Sequence, residues 1–255
     1  MTEPPTGPER MTSDDESRGD LTSGDLSIED IAATVRSCTL CALSGTRTNA
    51  VPGEGSASPS ILFIGEGPGF NEDQQGRPFV GRAGKLLDEL LGVVPLQRSD
   101  VYITNVVKCR PPENRDPLPD EVRACWPYLE AQISILRPRV ICTLGRHAMN
   151  RFLPDARISA AHGRPVRWRD IIIFPLYHPA AALRSTTLRQ TLEDDIRRIP
   201  EAVLQSLALD TQNFRPEPGE PTPGVPSPEA PARDADPAAP VEPPREDEAG
   251  QSRLF

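Results

Sequence analysis

The chain has 255 residues, 37% of them hydrophobic, and a formal net charge of −9, a length that holds one medium domain with tails or two small domains. Residues 1–26 and 206–255 carry 17 of the 37 acids but only 6 of the 28 Lys and Arg, which leaves the middle of the chain at +2. Both ends are too poor in large apolar clusters to offset the entropy of ordering, so they are expected to be disordered tails around one domain at residues 27–205. No signal-peptide pattern and no apolar run of membrane-spanning length appear, so a monomeric cytoplasmic protein without a membrane partner is expected. In that reducing compartment the five cysteines point to metal ligation or burial and away from disulfides.

Taken in chain order, Ile28, Ile31 and Val35 recur at helical spacing and run into Cys38-x2-Cys41. ILFIG (61–65) is a short strand, apolar throughout, that leaves through GEGPGFNED (65–73). A helical pattern follows over 84–91, then a second strand, VYITNVV (101–107), which passes through Asn105 into KCRPP (108–112). A long helix over 119–136 carries Cys125; VICTLG (140–145) is a third strand, 146–152 a short helix, IIIFPLYHP (171–179) a fourth strand, and 188–207 a last helix. Strands apolar on both faces that alternate with helices predict an α/β chain, a three-layer α/β/α sandwich around a central four-stranded, mainly parallel sheet. Ligands of open parallel sheets bind beyond the carboxyl ends of the strands. The three polar exits, after the first, second and fourth strands, therefore converge on one site.

Glycines after a strand invite a phosphate-loop reading, which the residues refuse. GRPFVGRA (76–83) has Arg82-Ala83 where a Walker loop needs Lys and Ser or Thr, and Pro68 interrupts a dinucleotide fingerprint. Gly65 and Gly67 instead let backbone approach a flat ligand, with the Glu66 carboxylate between them. Four thiols, at Cys38, Cys41, Cys109 and Cys125, suit zinc or an iron-sulfur cluster. One short pair plus one spread pair favours [4Fe-4S], and Cys142, alone inside an apolar strand, reads as a small core residue.

GEGPGFNED, GRPFVGRAG (76–84), TNVVKCRPP (104–112), HPAAALR (178–184) and the four spaced cysteines together resemble the iron-sulfur (fourth) family of uracil-DNA glycosylases, over about residues 30–205. The resemblance implies excision of uracil from single- or double-stranded DNA. It places Glu66 at the sugar cation or attacking water, Phe79 on the face of uracil, Asn105 at its edge and His178 beside the leaving base. Cys38, Cys41, Cys109 and Cys125 fall on the cluster ligands; Glu72 and Asp73 match the pattern without an assigned role. The chemistry is consistent with the residue types. An amide matches the O4 acceptor and N3–H donor of uracil and is mispaired by cytosine, while a carboxylate and a histidine stabilise the separating charges.

A flipped nucleotide leaves a gap in the duplex. Leu183 is the candidate wedge, and Arg82, Lys108, Arg110 and Arg184 are candidate phosphate contacts. His162, in RISAAHGR (157–164), sits where a related, less similar group carries a histidine that traps the sugar covalently; such a trapping relative, or a non-catalytic iron-sulfur nucleic-acid-binding module, is the alternative. The chain ends in QSRLF, similar to the peptide by which bacterial repair enzymes bind the sliding clamp, with Gln251, Leu254 and Phe255 as its anchors.

Overall fold

The structure is a computed structural model and describes residues 26–210; the expected tails, apart from their inner edges, and the clamp-binding peptide lie outside the described residues. Six strands form one sheet: β1 (Glu54–Gly55), β2 (Ile61–Gly65), β3 (Tyr102–Asn105), β4 (Val140–Leu144), β5 (Val166–Trp168) and β6 (Ile171–Leu176), in the order β1-β3-β2-β4-β6-β5. The four predicted strands are its parallel centre, and the two short edge strands, absent from the sequence reading, pair antiparallel. Alternation along each central strand sends its side chains to two cores. Phe63, Ile103, Cys142 and Phe174 face one core, and Leu62, Ile64, Ile141 and Ile173 the other.

Helices cover both faces. α1 (Ile28–Ser37) starts at a reciprocal cap between Ser27 and Asp30 and packs against α4 (Pro119–Leu136). Between them in sequence come α2 (Phe70–Gln75) and α3 (Arg82–Val93). After α4 follow the one-turn helices α5 (Arg146–Met149), α6 (Ile158–Ala161) and α7 (Pro179–Ala182). The single last helix read from sequence is two, α8 (Thr186–Ile196) and α9 (Ile199–Asp210), the second running past residue 205. α3, α8 and α9 contribute to the Phe63 core, and α4 to the Leu62 core. No described helix is long and apolar enough to cross a membrane.

Candidate active site

Gly65 ends β2 opposite Asn105, the last residue of β3. Beyond the sheet the two exits stay joined, because Val106 N–H donates to the Gly65 carbonyl (2.9 Å) and Val107 N–H to that of Glu66 (3.1 Å). A Cβ on Gly65 would overlap Asn105 Oδ1 and approach Phe79 Cζ to 2.6 Å, so a residue without a side chain is needed where amide and ring meet. Asn105 is 1% exposed, and its Oδ1 is buried without a hydrogen-bond partner. Buried acceptors are ordinarily paired; Thr143 Oγ1 and Asn150 Oδ1 are unpaired as well, but this one stands where the exits of β2 and β3 meet. Gly67 differs from the expectation that it makes room for the base. A Cβ there would meet Val107 Cγ2 at 2.8 Å, so this glycine seats a neighbouring side chain.

Phe79 is buried in a left-handed backbone conformation, φ 52°, which costs a bulky residue energy unless its surroundings enforce it. Two side chains do so. Glu72 Oε1 accepts from Val80 N–H (2.9 Å) and Gly81 N–H (2.8 Å), while Arg98 donates to the carbonyls of Pro78 (2.6 Å) and Phe79 (3.2 Å). Asp73, 2% exposed, acts likewise on the incoming chain, its Oδ1 accepting from Thr48 N–H (2.9 Å) and Asn49 N–H (3.3 Å). Glu72 and Asp73, without a role in the sequence, are acids that clasp two loops, Glu72 the one that carries Phe79 and Asp73 the one at Thr48 and Asn49.

The His178 ring lies 5.7 Å from the Phe79 ring, tilted by 30°. As the N-cap of α7 its Nδ1 accepts from Ala180 N–H at 3.1 Å, which leaves the proton on Nε2. Burial, joined by His147 and opposed by Glu72, pushes the imidazole down to about 4. His178 is thus a neutral donor near neutral pH. Glu66 is moved the other way: burial and the Asp116 charge push it up to about 7, against Arg146. Its neighbours are Asp116 and His147, residues the sequence reading does not single out. His147 Nε2 is 3.8 Å from Glu66 Oε2 and 3.1 Å from Asp116 Oδ2. The signal that finds His147 is its place just past Gly145, at the carboxyl end of β4 and so on the same sheet edge.

Of the candidate DNA contacts, Arg82 at the start of α3 is exposed, as are Leu183 (37%) and Arg184 after α7. Arg110 holds its guanidinium 5.2 Å from the ring centre of the exposed Phe70. Lys108 is not a phosphate contact. It is 1% exposed, and its ammonium turns back along β3 to donate to Gln132 Oε1 (2.6 Å), Thr104 Oγ1 (2.7 Å) and the Asn105 carbonyl (2.7 Å). Burial pushes the amine down to about 7, and as an ammonium it has an acceptor inside the fold for each of its three protons, which makes it a support of Asn105. His162 Nδ1 is paired with Asp195 Oδ2 at 2.7 Å, and its ring packs 4.6 Å from that of Tyr177.

Cys38, Cys41, Cys109 and Cys125 line one small cavity together with Arg47, Lys108 and Tyr128. N–H groups point at three of the sulfurs: Arg47 Nη1 to Cys109 (3.0 Å), Lys108 N to Cys125 (3.3 Å) and Leu40 N to Cys38 (3.5 Å). Among the described residues, the one set of three or more His, Cys, Asp or Glu ligand atoms lying within 4.8 Å of one another is Glu66, Asp116 and His147. Four thiols facing one cavity suit a metal group held by thiolates. Cys142 is fully buried in β4, away from them.

Comparison with known proteins gives the family of the chain. Residues 52–199 match the model of the uracil DNA glycosylase superfamily. The chain is 49% identical over 188 residues to the type-4 uracil-DNA glycosylase of Sulfurisphaera tokodaii, covering 70% of this chain and 86% of that protein. It is 47% identical over 176 residues to the type-4 uracil-DNA glycosylase of Thermotoga maritima, 67% and 92% of the two chains. With a type-5 uracil-DNA glycosylase of Thermus thermophilus it shares 36% over 118 residues, 40% and 53% of the two chains. The chain belongs to the uracil DNA glycosylase superfamily.

Proposed function

We propose that the chain is a uracil-DNA glycosylase of the iron-sulfur type, which flips deoxyuridine from DNA and hydrolyses its N-glycosidic bond. The observation that carries this reading is the partnerless buried Oδ1 of Asn105 beside Phe79. Uracil N3–H would fill that acceptor while its O4 takes a proton from the same amide; cytosine, with an acceptor at N3 and a donor at C4, would leave both mispaired. Phe79 offers a face for the ring. As the C1′–N1 bond breaks, its electron pair goes to uracil, and His178 Nε2–H donates to the anion at O2 without giving up its proton. Ionised Glu66 stabilises the sugar cation and orients the water that adds to C1′.

Cys38, Cys41, Cys109 and Cys125 would hold a [4Fe-4S] cluster, whose contribution is a tie between the segment after α1, the β3 exit and α4 that fixes Asn105. Arg82, Arg110 and Arg184 serve as phosphate contacts and Leu183 as the wedge. The terminal Gln251, Leu254 and Phe255 would tether the enzyme to a sliding clamp, raising its local concentration on DNA. The deciding experiment incubates the purified protein with uracil-containing and cytosine-containing oligonucleotides, single- and double-stranded, followed by alkali. Strand breaks confined to uracil are expected; intact uracil strands would refute the proposal. Iron and broad absorbance in the blue are expected in the same preparation, and zinc in their place would refute the cluster.

A further inference from the structure

The Glu66 side chain does not stand alone at the cleft edge. His147, from the first turn of α5, and Asp116, from the loop before α4, meet it on its solvent side. The ring nitrogen between the two acids is claimed by opposite partners. Arg146 Nε donates to His147 Nε2 at 3.1 Å, a bond that needs a lone pair there, while Asp116 Oδ2, also at 3.1 Å, calls for a proton on the same atom. Arg146 reaches Asp116 as well, Nη2 to Oδ2 at 3.4 Å. The group therefore has two self-consistent states. Neutral His147 accepts from Arg146; protonated His147 releases Arg146 and donates to Asp116.

We propose that His147, backed by Asp116, is a positioning and proton-accepting residue for Glu66, which takes over the proton shed by the attacking water. The inference rests on the reading of Glu66 as the carboxylate at the sugar. The balance is as follows: C1′–N1 breaks with its electron pair on uracil, and a water oxygen bonds to C1′. One water proton passes to Glu66 and from there to His147 Nε2, Asp116 compensates the imidazolium, and the proton leaves to solvent while uracil is protonated there. Closing the 3.8 Å gap between Glu66 Oε2 and His147 Nε2 to hydrogen-bond length takes a shift of about 1 Å. Asp116 is 62% exposed at its side chain, which opens the chain of groups to water.

The charged and titratable groups facing this group are Asp116, Arg146, Arg151 and, across the pocket, the neutral His178. Burial, Arg146 and Arg151 hold His147 below the ordinary histidine range against Asp116, so it is neutral at rest and holds the proton from Glu66 only in passing, before solvent takes it. Arg146 lowers Glu66 and Asp116 raises it.

The test is single-turnover excision on a uracil oligonucleotide from pH 5 to 9, with oligonucleotide affinity measured alongside, for the iron-loaded wild type, H147A, H147Q, D116N and E66Q. H147A is expected to lose at least about tenfold in rate at unchanged affinity and to regain part of it with added imidazole, since proton transfer by a positioned base is worth at least that much. H147Q is expected to stay as low without rescue. D116N, a change at an exposed side chain that leaves the fold intact, is expected to move the acid limb to lower pH, because Glu66 loses the charge that raises it. A wild-type rate for H147A, or a loss that is the same at every pH and untouched by imidazole together with an unmoved D116N profile, overturns the proposal. E66Q separates the two readings: full activity there overturns the role of Glu66 itself, whatever the His147 variants do.

Discussion

Asn105 and Cys109 stand four residues apart on the exit of β3, yet the regions they belong to are built on opposite rules. Around Cys109 the polar groups are closed in: sulfurs receive N–H groups from Arg47, Lys108 and Leu40, and the Lys108 ammonium spends all its protons on Gln132, Thr104 and the Asn105 carbonyl. Around the Asn105 side chain the fold leaves an acceptor open, strains Phe79 and half-buries a histidine that stays neutral. A closed, mutually satisfied region is stiff; an open one holds unmet demand that substrate can meet. Lys108 joins them, since one ammonium touches the backbone of the open residue from inside the closed region.

If the closed region is the scaffold of the open one, Cys125→Ser should have the largest effect. Iron should fall to trace levels, the thermal midpoint by more than about 10 °C, and excision with it, because binding of a structural metal group is folding energy. Iron-free C125S with wild-type excision would break the link. Asn105→Ala attacks the open side alone: iron and melting should stay near wild type while single-turnover excision falls by about 10² to 10³. Gly65→Ala forces a methyl between Asn105 and Phe79; excision should fall at least about tenfold and stability by about 1–3 kcal/mol, the usual cost of overpacking. Glu72→Gln should cost about 1–2 kcal/mol by weakening the grip on Val80 and Gly81, with a loss of uracil affinity as the Phe79 loop slackens. The smallest effect belongs to Cys142→Ala, about 1 kcal/mol of stability with iron and excision unchanged, which separates the core cysteine from the four in the corner.

The four parallel strands were legible because they are apolar on both faces, so ILFI, VICTL and IIIF carry their burial in composition alone. β1 and β5 were not: they have two and three residues, and no residue of either is fully buried. α2 escaped because FNEDQQ offers a single large apolar residue, Phe70, and that one is 55% exposed. At the site, Glu66, Asn105 and His178 could be named because each ends or follows a strand in a recognisable motif. Lys108 misled for the same reason, since a cation in KCR after a strand reads as a phosphate contact until Gln132, far along the chain, is seen to hold it. Asp116 and His147 come from a loop and a one-turn helix, where no periodicity marks a residue as facing a cleft. The clasps of Glu72 and Asp73 are made to backbone N–H groups, which no side-chain pattern records.

The burial of Lys108 also bears on reagents. The sequence contains two lysines, Lys85 and Lys108; the first is exposed on α3 next to the turn that carries Arg82, and the second is sealed. An amine-directed dye or cross-linker therefore finds, besides the α-amino group, one lysine on the folded protein. A fluorophore at Lys85 sits one helical turn from a proposed DNA contact, where it can report arrival of the strand without touching the chemistry of the pocket.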